Sequence, residues 1–325
     1  MKKLIISSSP HIKSETTTQK IMLLVIVSLL PAVVASGIFF GMRALALIGV
    51  CCASSVLFEF LCRIIMKREQ TISDLSALVT GLILALNLPV TLPYWMAAVG
   101  SFIAIVIVKQ LFGGLGQNFA NPAITARIAL MISFTAPMTT WAVPKYWSSD
   151  PSLFTGAISD TNTVITGATP LVSGNTSLTD LFLGNVGGCL GETSALALII
   201  GGLFLIITGV ISASTPVAFI GTVAALTYVS GGDVPYQLLS GGLFLGAFFM
   251  ATDYATTPVT VKGKIVFGIG CGIITFIIRN FGGYPEGVSF SILLMNILTP
   301  YIDMFTRTKP LGIVKPEKEV KKDAE

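Results

Sequence analysis

The chain has 325 residues, 53% of them hydrophobic and only 11% charged, and its mean hydropathy is +0.84. A soluble domain carries about 25% charged residues, so there is too little charge to coat a water-soluble globule; the class is an all-α integral membrane protein. The net charge of +4 sits at the ends and in short connections, without interleaved aromatics, which excludes nucleic acid as a partner and makes the lipid bilayer the expected surroundings.

Residues 1–20 are a polar leader with Lys2, Lys3, Lys13 and Lys20. The apolar run Ile21 to Phe40 reaches the ~20 residues a bilayer crossing needs, so it reads as a retained first helix and not a cleaved signal. Pro31 within it is tolerated by a membrane helix. Further spans are predicted near Ala44–Ile65, Leu75–Leu88, Tyr94–Leu111 and Asn121–Met138. The third is short and ends at Asn87-Leu88-Pro89. A polar segment, 141–193, follows. Beyond it lie spans near Ser194–Ile211, Pro216–Ser230, Tyr236–Thr252, Ile265–Ile278 and Val288–Phe305, then a charged tail, 306–325. The total is about ten spans.

The positive charges fall mainly on one side. The leader, the Lys67/Arg68 loop, the Lys262/Lys264 loop and the tail share it, against Arg43, Lys145 and Arg279 opposite. Both termini are therefore expected in the cytoplasm, with 141–193 on the outer face of the cell's inner membrane.

Two patterns recur in the same order. Lys109-Gln110-Leu111-Phe112-Gly113-Gly114 resembles Arg279-Asn280-Phe281-Gly282-Gly283, and Gly81-Leu82-Ile83-Leu84-Ala85 resembles Gly242-Leu243-Phe244-Leu245-Gly246. About five spans separate the copies, and an odd number inverts the second copy in the membrane. Two inverted five-helix repeats, 21–140 and 194–305, are expected. Breaks near Pro89, Asn121-Pro122, Asp253–Pro258 and Gly282–Gly287 are expected to line sites, because unpaired backbone at membrane depth must be buried in protein or face a polar cavity.

The five cysteines form no CxxC pair, and His11 is the only histidine, so no iron–sulfur or zinc site is expected from this chain alone. No dinucleotide-binding glycine pattern or Walker A sequence is present. Glu59 and Arg127 lie within spans, where an ionisable group is costly and tends to be paired or functional. A structural pair, with each other, and an ion path are both open readings. Lys109 reads as a snorkelling side chain near a membrane surface. Glu192 reads as a helix-capping carboxylate or a cofactor contact. Asp253 reads as a cap on a broken helix, a cation ligand or part of a cofactor's surroundings.

Thr169 stands in Thr166-Gly167-Ala168-Thr169-Pro170-Leu171. Small neighbours let another protein approach the backbone, and Pro170 biases Thr169 toward an extended conformation. By the residues alone this is a Thr/Gly loop. The wider pattern adds to that. Ser7-Ser8-Ser9-Pro10-His11-Ile12, Leu78-Val79-Thr80-Gly81-Leu82, Lys109-Gln110 through Asn121-Pro122-Ala123, the Thr166–Leu171 run, Gly191-Glu192-Thr193-Ser194-Ala195 and Met250-Ala251-Thr252-Asp253 together resemble the NqrB/RnfD family, over nearly the whole chain and most like RnfD.

The resemblance implies a urea-transporter-like fold of inverted repeats. It implies FMN held by a phosphoester on the last Thr of a Ser/Asp-Gly-Ala-Thr motif, here Thr169, installed from FAD by a Mg-dependent flavin transferase. Thr166 stands where Ser or Asp is usual. Thr166, Gly167, Ala168, Glu192 and Asp253 are the expected surroundings, and a second, non-covalent flavin is a further candidate. The implied role is a membrane electron-transfer subunit of an Rnf-type ferredoxin:NAD+ oxidoreductase coupled to Na+ or H+ translocation, with no complete active site on this chain. The implied partners are the complex's iron–sulfur, flavin and membrane subunits and the transferase. The competing reading is an inverted-repeat transporter or channel without a redox cofactor.

Overall fold

Long apolar runs become helices, and the breaks between them fall at Gly, Pro and Asn. The computed structural model describes residues 16–142, 144, 169–173, 176–282 and 287–307. In chain order the helices are α1 (Thr18–Phe40), α2 (Met42–Ile65), α3 (Ser76–Leu86), α4 (Tyr94–Phe102, continued by a π-helical stretch Ile103–Gln110), α5 (Pro122–Ser133) and α6 (Thr135–Met138). Then come α7 (Pro170–Ser173), α8 (Leu178–Leu183), α9 (Ala195–Ile207), α10 (Ser214–Val229) and α11 (Val234–Leu239). Last are α12 (Leu243–Leu245, continued by a π turn Gly246–Met250), α13 (Val261–Phe281) and α14 (Val288–Thr306). Among the described residues, four helices are long and apolar enough to cross a membrane: α1, α2, α13 and α14. The other apolar helices are shorter.

The surface is apolar and the interior holds charges. Ile65, Ile207, Val229 and Phe305 are each at least 79% exposed, while Arg43, Glu59, Asn87, Lys109, Gln110 and Arg127 are buried. Water would drive the opposite sorting; lipid favours this one, because apolar side chains face it freely and ionisable groups must turn inward. The fold is that of a multi-pass membrane protein.

Small residues let the helices approach. A Cβ on Gly81 of α3 would lie 2.7 Å from Ser55 Oγ and 2.8 Å from the Cys51 carbonyl oxygen of α2. A Cβ on Gly201 of α9 would run into the Ser28 carbonyl oxygen of α1, and one on Gly268 of α13 would lie 2.8 Å from the Thr215 carbonyl oxygen of α10. Lipid gives apolar side chains no reason to leave it, so close backbone contact of this kind is a main source of helix association. Contacts also fix directions. Ser101 with Cys51 and Lys109 with Glu59 make α4 parallel to α2. Gly268 beside Thr215 and Gly272 beside Thr222 make α13 parallel to α10. Trp95 with Phe134 makes α5 antiparallel to α4, and Thr275 with Ser291 and Thr260 with Thr306 make α14 antiparallel to α13.

Broken helices meet in the interior. α3 stops at Asn87, whose Nδ2 donates to the Ile83 carbonyl at 2.7 Å and lies 3.8 Å from Met250 Sδ at the end of the α12 π turn. Asn121 caps α5, with Pro122 at its first position, and its Nδ2 donates to the Met250 carbonyl at 3.3 Å. The sequence reading of one span over Tyr236–Thr252 is corrected here. Gly241 adopts φ +66, a left-handed conformation open to glycine, and the chain breaks at 240–242. Arg279 anchors that break, donating to the Gln237 carbonyl at 2.6 Å and the Ser240 carbonyl at 3.0 Å.

Gly201→Val tests the α1–α9 contact. The β-branched side chain has no room against Ser28, and the expected loss is about 1–3 kcal/mol, the usual range for overpacking. Thermal unfolding of the detergent-solubilised protein measures it; an unchanged midpoint would mean that the two helices do not pack through this glycine.

Candidate functional site

Thr169 is the first described residue after the segment 145–168, so Thr166, Gly167 and Ala168 lie outside the described residues. Pro170 opens α7 directly behind it. Tyr236 of α11 holds this turn: its hydroxyl donates to the Pro170 carbonyl at 2.5 Å and lies 3.0 Å from Thr176 Oγ1. Thr169 itself is 4% exposed and lines a narrow cleft with Leu181 of α8, residues 186–188, Glu192, Thr193, Leu239 and Gly241.

The far wall of the cleft is built by a backbone pairing. Leu190 N donates to the Leu88 carbonyl at 3.0 Å and Gly191 N to the Leu86 carbonyl at 2.7 Å, so residues 189–191 run antiparallel to the chain leaving α3. Glycine is required at 191, because a Cβ there would lie 2.6 Å from Leu86 Cβ. This pairing places Glu192. Its Oε1 accepts from Cys189 N at 2.8 Å, and its Oε2 lies 3.9 Å from an Arg127 amino group, within ion-pair range but too far for a hydrogen bond. Glu192 does not cap α9. That role belongs to Ser194, whose Oγ accepts from Ala197 N.

Three buried side-chain oxygens in this one cleft have no hydrogen-bond partner among the described residues: Thr169 Oγ1, Glu192 Oε2 and Thr193 Oγ1. Buried polar atoms are almost always satisfied, so a cluster of orphans marks either strain or a missing ligand. The set is one hydroxyl nucleophile, a second hydroxyl and one carboxylate acceptor. It suits a ligand attached at Thr169 that carries both acceptors and donors.

Behind Glu192 lies Arg127, 3% exposed. Its NH1 donates to Asn87 Oδ1 at 2.7 Å and to Ser289 Oγ at 3.1 Å, and its NH2 donates to Cys189 Sγ at 3.4 Å. The α3 break, α5, α14 and the cleft wall thus share one guanidinium.

A profile of the NQR2, RnfD, RnfE family matches residues 5–312. The chain belongs to this family. It is 49% identical to the D subunit of a Na(+)-translocating ferredoxin:NAD(+) oxidoreductase complex of Acetobacterium woodii, over 98% of each chain. It is 43% identical to the D subunit of a proton-translocating ferredoxin:NAD(+) oxidoreductase complex of Clostridium ljungdahlii, over 94% of this chain and 96% of the relative. The D subunit of an ion-translocating oxidoreductase complex of Stutzerimonas stutzeri is 39% identical over 91% and 93%.

In this NQR2, RnfD, RnfE family member the remaining expected site residues lie elsewhere. Asp253 does not join the Thr169 cleft. It follows the Met250 turn, accepts from Thr256 Oγ1 at 3.1 Å, and lines a separate cleft with Asn118, Asn121 and Thr252 near Lys109. Glu59 and Arg127 do not pair with each other. Glu59 pairs with Lys109 at 2.8 Å and also accepts from Thr71 Oγ1 at 2.8 Å and Gln110 Nε2 at 3.0 Å. Lys109 is therefore not a snorkelling side chain; it is 1% exposed and also donates to Ser76 Oγ at 2.7 Å. Ser289 and Tyr236, which the sequence did not single out, come to the site through folding, and Asn87 and Thr193, named only as part of a break and of a motif, join them there.

Removing one partner of the Glu59–Lys109 pair leaves a buried charge uncompensated. Glu59→Leu is expected to cost about 3–5 kcal/mol, while Glu59→Leu/Lys109→Leu is expected to be more stable than Glu59→Leu alone. Unfolding of the three proteins in detergent decides it; a double variant no better than the single one would show that the lysine's charge is not what the glutamate balances.

Proposed function

We propose that this chain is the D subunit of a membrane-bound, ion-translocating ferredoxin:NAD+ oxidoreductase complex, and that it carries FMN by a phosphoester on Thr169. The observation that carries the reading is the buried, unpartnered Thr169 hydroxyl, set in a cleft with two further orphaned oxygens. Full-length similarity to proteins named as the D subunit of such complexes agrees with it.

Attachment needs one bond change. Thr169 Oγ bonds to the FMN phosphorus of FAD, the pyrophosphate link breaks, AMP leaves, and the hydroxyl proton passes to a base of the flavin transferase. Once bound, the flavin supplies the redox chemistry, and the protein supplies position and electrostatics. With such a group on Thr169, Thr193 Oγ1 would be the donor available to a phosphate oxygen, and Glu192 would be the acceptor available to a hydroxyl. Tyr236 holds the Pro170 turn and so fixes the attachment point. Electrons arrive from and leave to redox groups on partner subunits, including iron–sulfur and flavin subunits.

We read the architecture as about ten crossings in two inverted halves, α1–α5 and α9–α14, with a urea-transporter-like layout. Two matched contacts support this. Lys109, the first residue of the first recurring motif, reaches Ser76 at the start of α3. Arg279, its counterpart in α13, reaches Ser240 just before α12. The parallel pairs α2/α4 and α10/α13 match as well. Lys67, Arg68, Lys262 and Lys264 share the face opposite the Thr169 cleft, so the positive-inside rule puts that face in the cytoplasm and Thr169 on the outer side of the inner membrane. The cleft near Asp253 opens toward the cytoplasmic face. Its lining mixes Val79, Ile83 and Phe248 with Asn118 and Asn121, which suits a second, non-covalent flavin.

In-gel flavin fluorescence after SDS denaturation tests the attachment, on protein co-produced with the flavin transferase. A fluorescent wild-type band and a dark Thr169→Ala band are expected. A dark wild type, beside a control substrate that the same transferase labels, would remove the flavin and return an inverted-repeat transporter or channel to the front.

A further inference from the structure

Glu192 and Arg127 form a pair held at arm's length, and the way each is held matters. One oxygen of Glu192 is fixed by Cys189 N, and the carboxylate is boxed in by two glycines. A Cβ on Gly188 would lie 3.0 Å from Oε1, and one on Gly242 would lie 3.1 Å from Oε2. The Glu192 side chain lines the Thr169 cleft, and Arg127 does not. Among the described residues, Arg127 gives close hydrogen bonds to Asn87, Ser289 and Cys189, while its distance to the Glu192 carboxylate is 3.9 Å. The nearest approach of the two charges is 3.9 Å, so they do not cancel by direct contact. Both side chains are buried, and charges in such surroundings act on their neighbours far more strongly than in water. The result is a fixed dipole with its negative end in the cleft wall and its positive end behind it.

We propose that this dipole sets the reduction potential of the group carried on Thr169, with Glu192 lowering the potential and Arg127 raising it. The inference rests on the reading of Thr169 as a flavin attachment site. A group that accepts an electron gains negative charge. A carboxylate beside it opposes that gain, and a guanidinium favours it. Glu192 lines the cleft and Arg127 stands behind it, so Glu192 has the larger effect. Arg127 acts here as a positioning residue as well, because its bonds to Asn87 and Cys189 fix the wall from which Glu192 projects.

The test is a spectroelectrochemical titration of the covalently bound flavin on the purified, flavin-loaded chain. Wild type is compared with Glu192→Gln, Arg127→Gln and Arg127→Lys. The expected result is a higher potential in Glu192→Gln, a smaller shift to lower potential in Arg127→Gln, and a value close to wild type in Arg127→Lys. Opposite signs are the signature, since loosened packing around the flavin has no reason to move the two variants in opposite directions. Shifts of the same sign, or unchanged potentials in proteins that still hold covalent flavin, overturn the proposal and leave the attachment reading intact. If Arg127→Gln does not fold, Glu192→Gln alone still decides the proposal: a potential that does not rise overturns it. A wild-type chain without covalent flavin overturns the attachment reading and this proposal together.

Discussion

The amides of Leu190 and Gly191 donate to the carbonyls of Leu88 and Leu86, and much of the molecule depends on that pairing. α3 stops inside the protein, and a helix that stops there leaves its last carbonyls without intrahelical partners. Lipid offers none, so the protein must. Gly191 N supplies one, for Leu86, and Leu190 N satisfies the Leu88 carbonyl just beyond the helix. Asn121 does the same for the Met250 turn, donating to its carbonyl. Each break therefore demands a partner from a distant part of the chain. These demands bring α3, α5, the α12 turn and the Thr169 cleft wall to one place.

The same constraint governs the charges. A lone ion at membrane depth is costly, so each buried cation serves several elements. Lys109 joins α2 and the start of α3 to the end of α4 through Glu59 and Ser76. Arg127 joins α5 to the α3 break, to α14 and to the cleft wall. Arg43 at the start of α2 donates to the Val90 carbonyl at 2.7 Å and so holds the chain between α3 and α4. In each case a charge does what a turn residue does in a soluble protein: it satisfies backbone or fixes a break. The Arg127–Glu192 pair differs in leaving one carboxylate oxygen without a hydrogen bond among the described residues, on a glutamate that lines the same cleft as Thr169.

What was legible in the sequence follows from the range of each interaction. α1, α2 and α14 could be read from apolar runs of about 20 residues, and α13 from the shorter run Ile265–Ile278, because hydrophobic length is a local property. The α3 break could be read too, since Asn87 and Pro89 are local punctuation. The break at 240–242 was hidden, because glycine inside an apolar run is ordinary in a membrane helix. Partners were the least legible. Lys109 lies 50 residues from Glu59, and nothing within either helix names the other. Arg127 was read against Glu59 because both sit inside spans; its acidic neighbour is Glu192, brought close only when residues 189–191 pair with the end of α3. Thr169 by itself looked like a loop residue, and it was the family resemblance that singled it out. The structure adds that its hydroxyl is buried and without a partner among the described residues, which no local pattern could say.

That burial also bears on how a modified site could be built. A residue 4% exposed cannot meet a transferase in the geometry described, so any attachment at Thr169 would have to precede the docking of α7 or wait for it to open. Among the described residues, Tyr236 bonds the Pro170 carbonyl and lies beside Thr176, and Leu171 packs near Gly241. A single neutral hydrogen bond of this kind contributes about 1 kcal/mol net. The helices behind it are held by glycine contacts and multiply bonded charges, which do not open as easily. The division makes physical sense for a tethered group. If Thr169 carries a group as proposed, its turn would have to admit a modifying enzyme once, while the wall that carries Glu192 would have to stay fixed through every turnover, because a charge that moves cannot hold a potential constant.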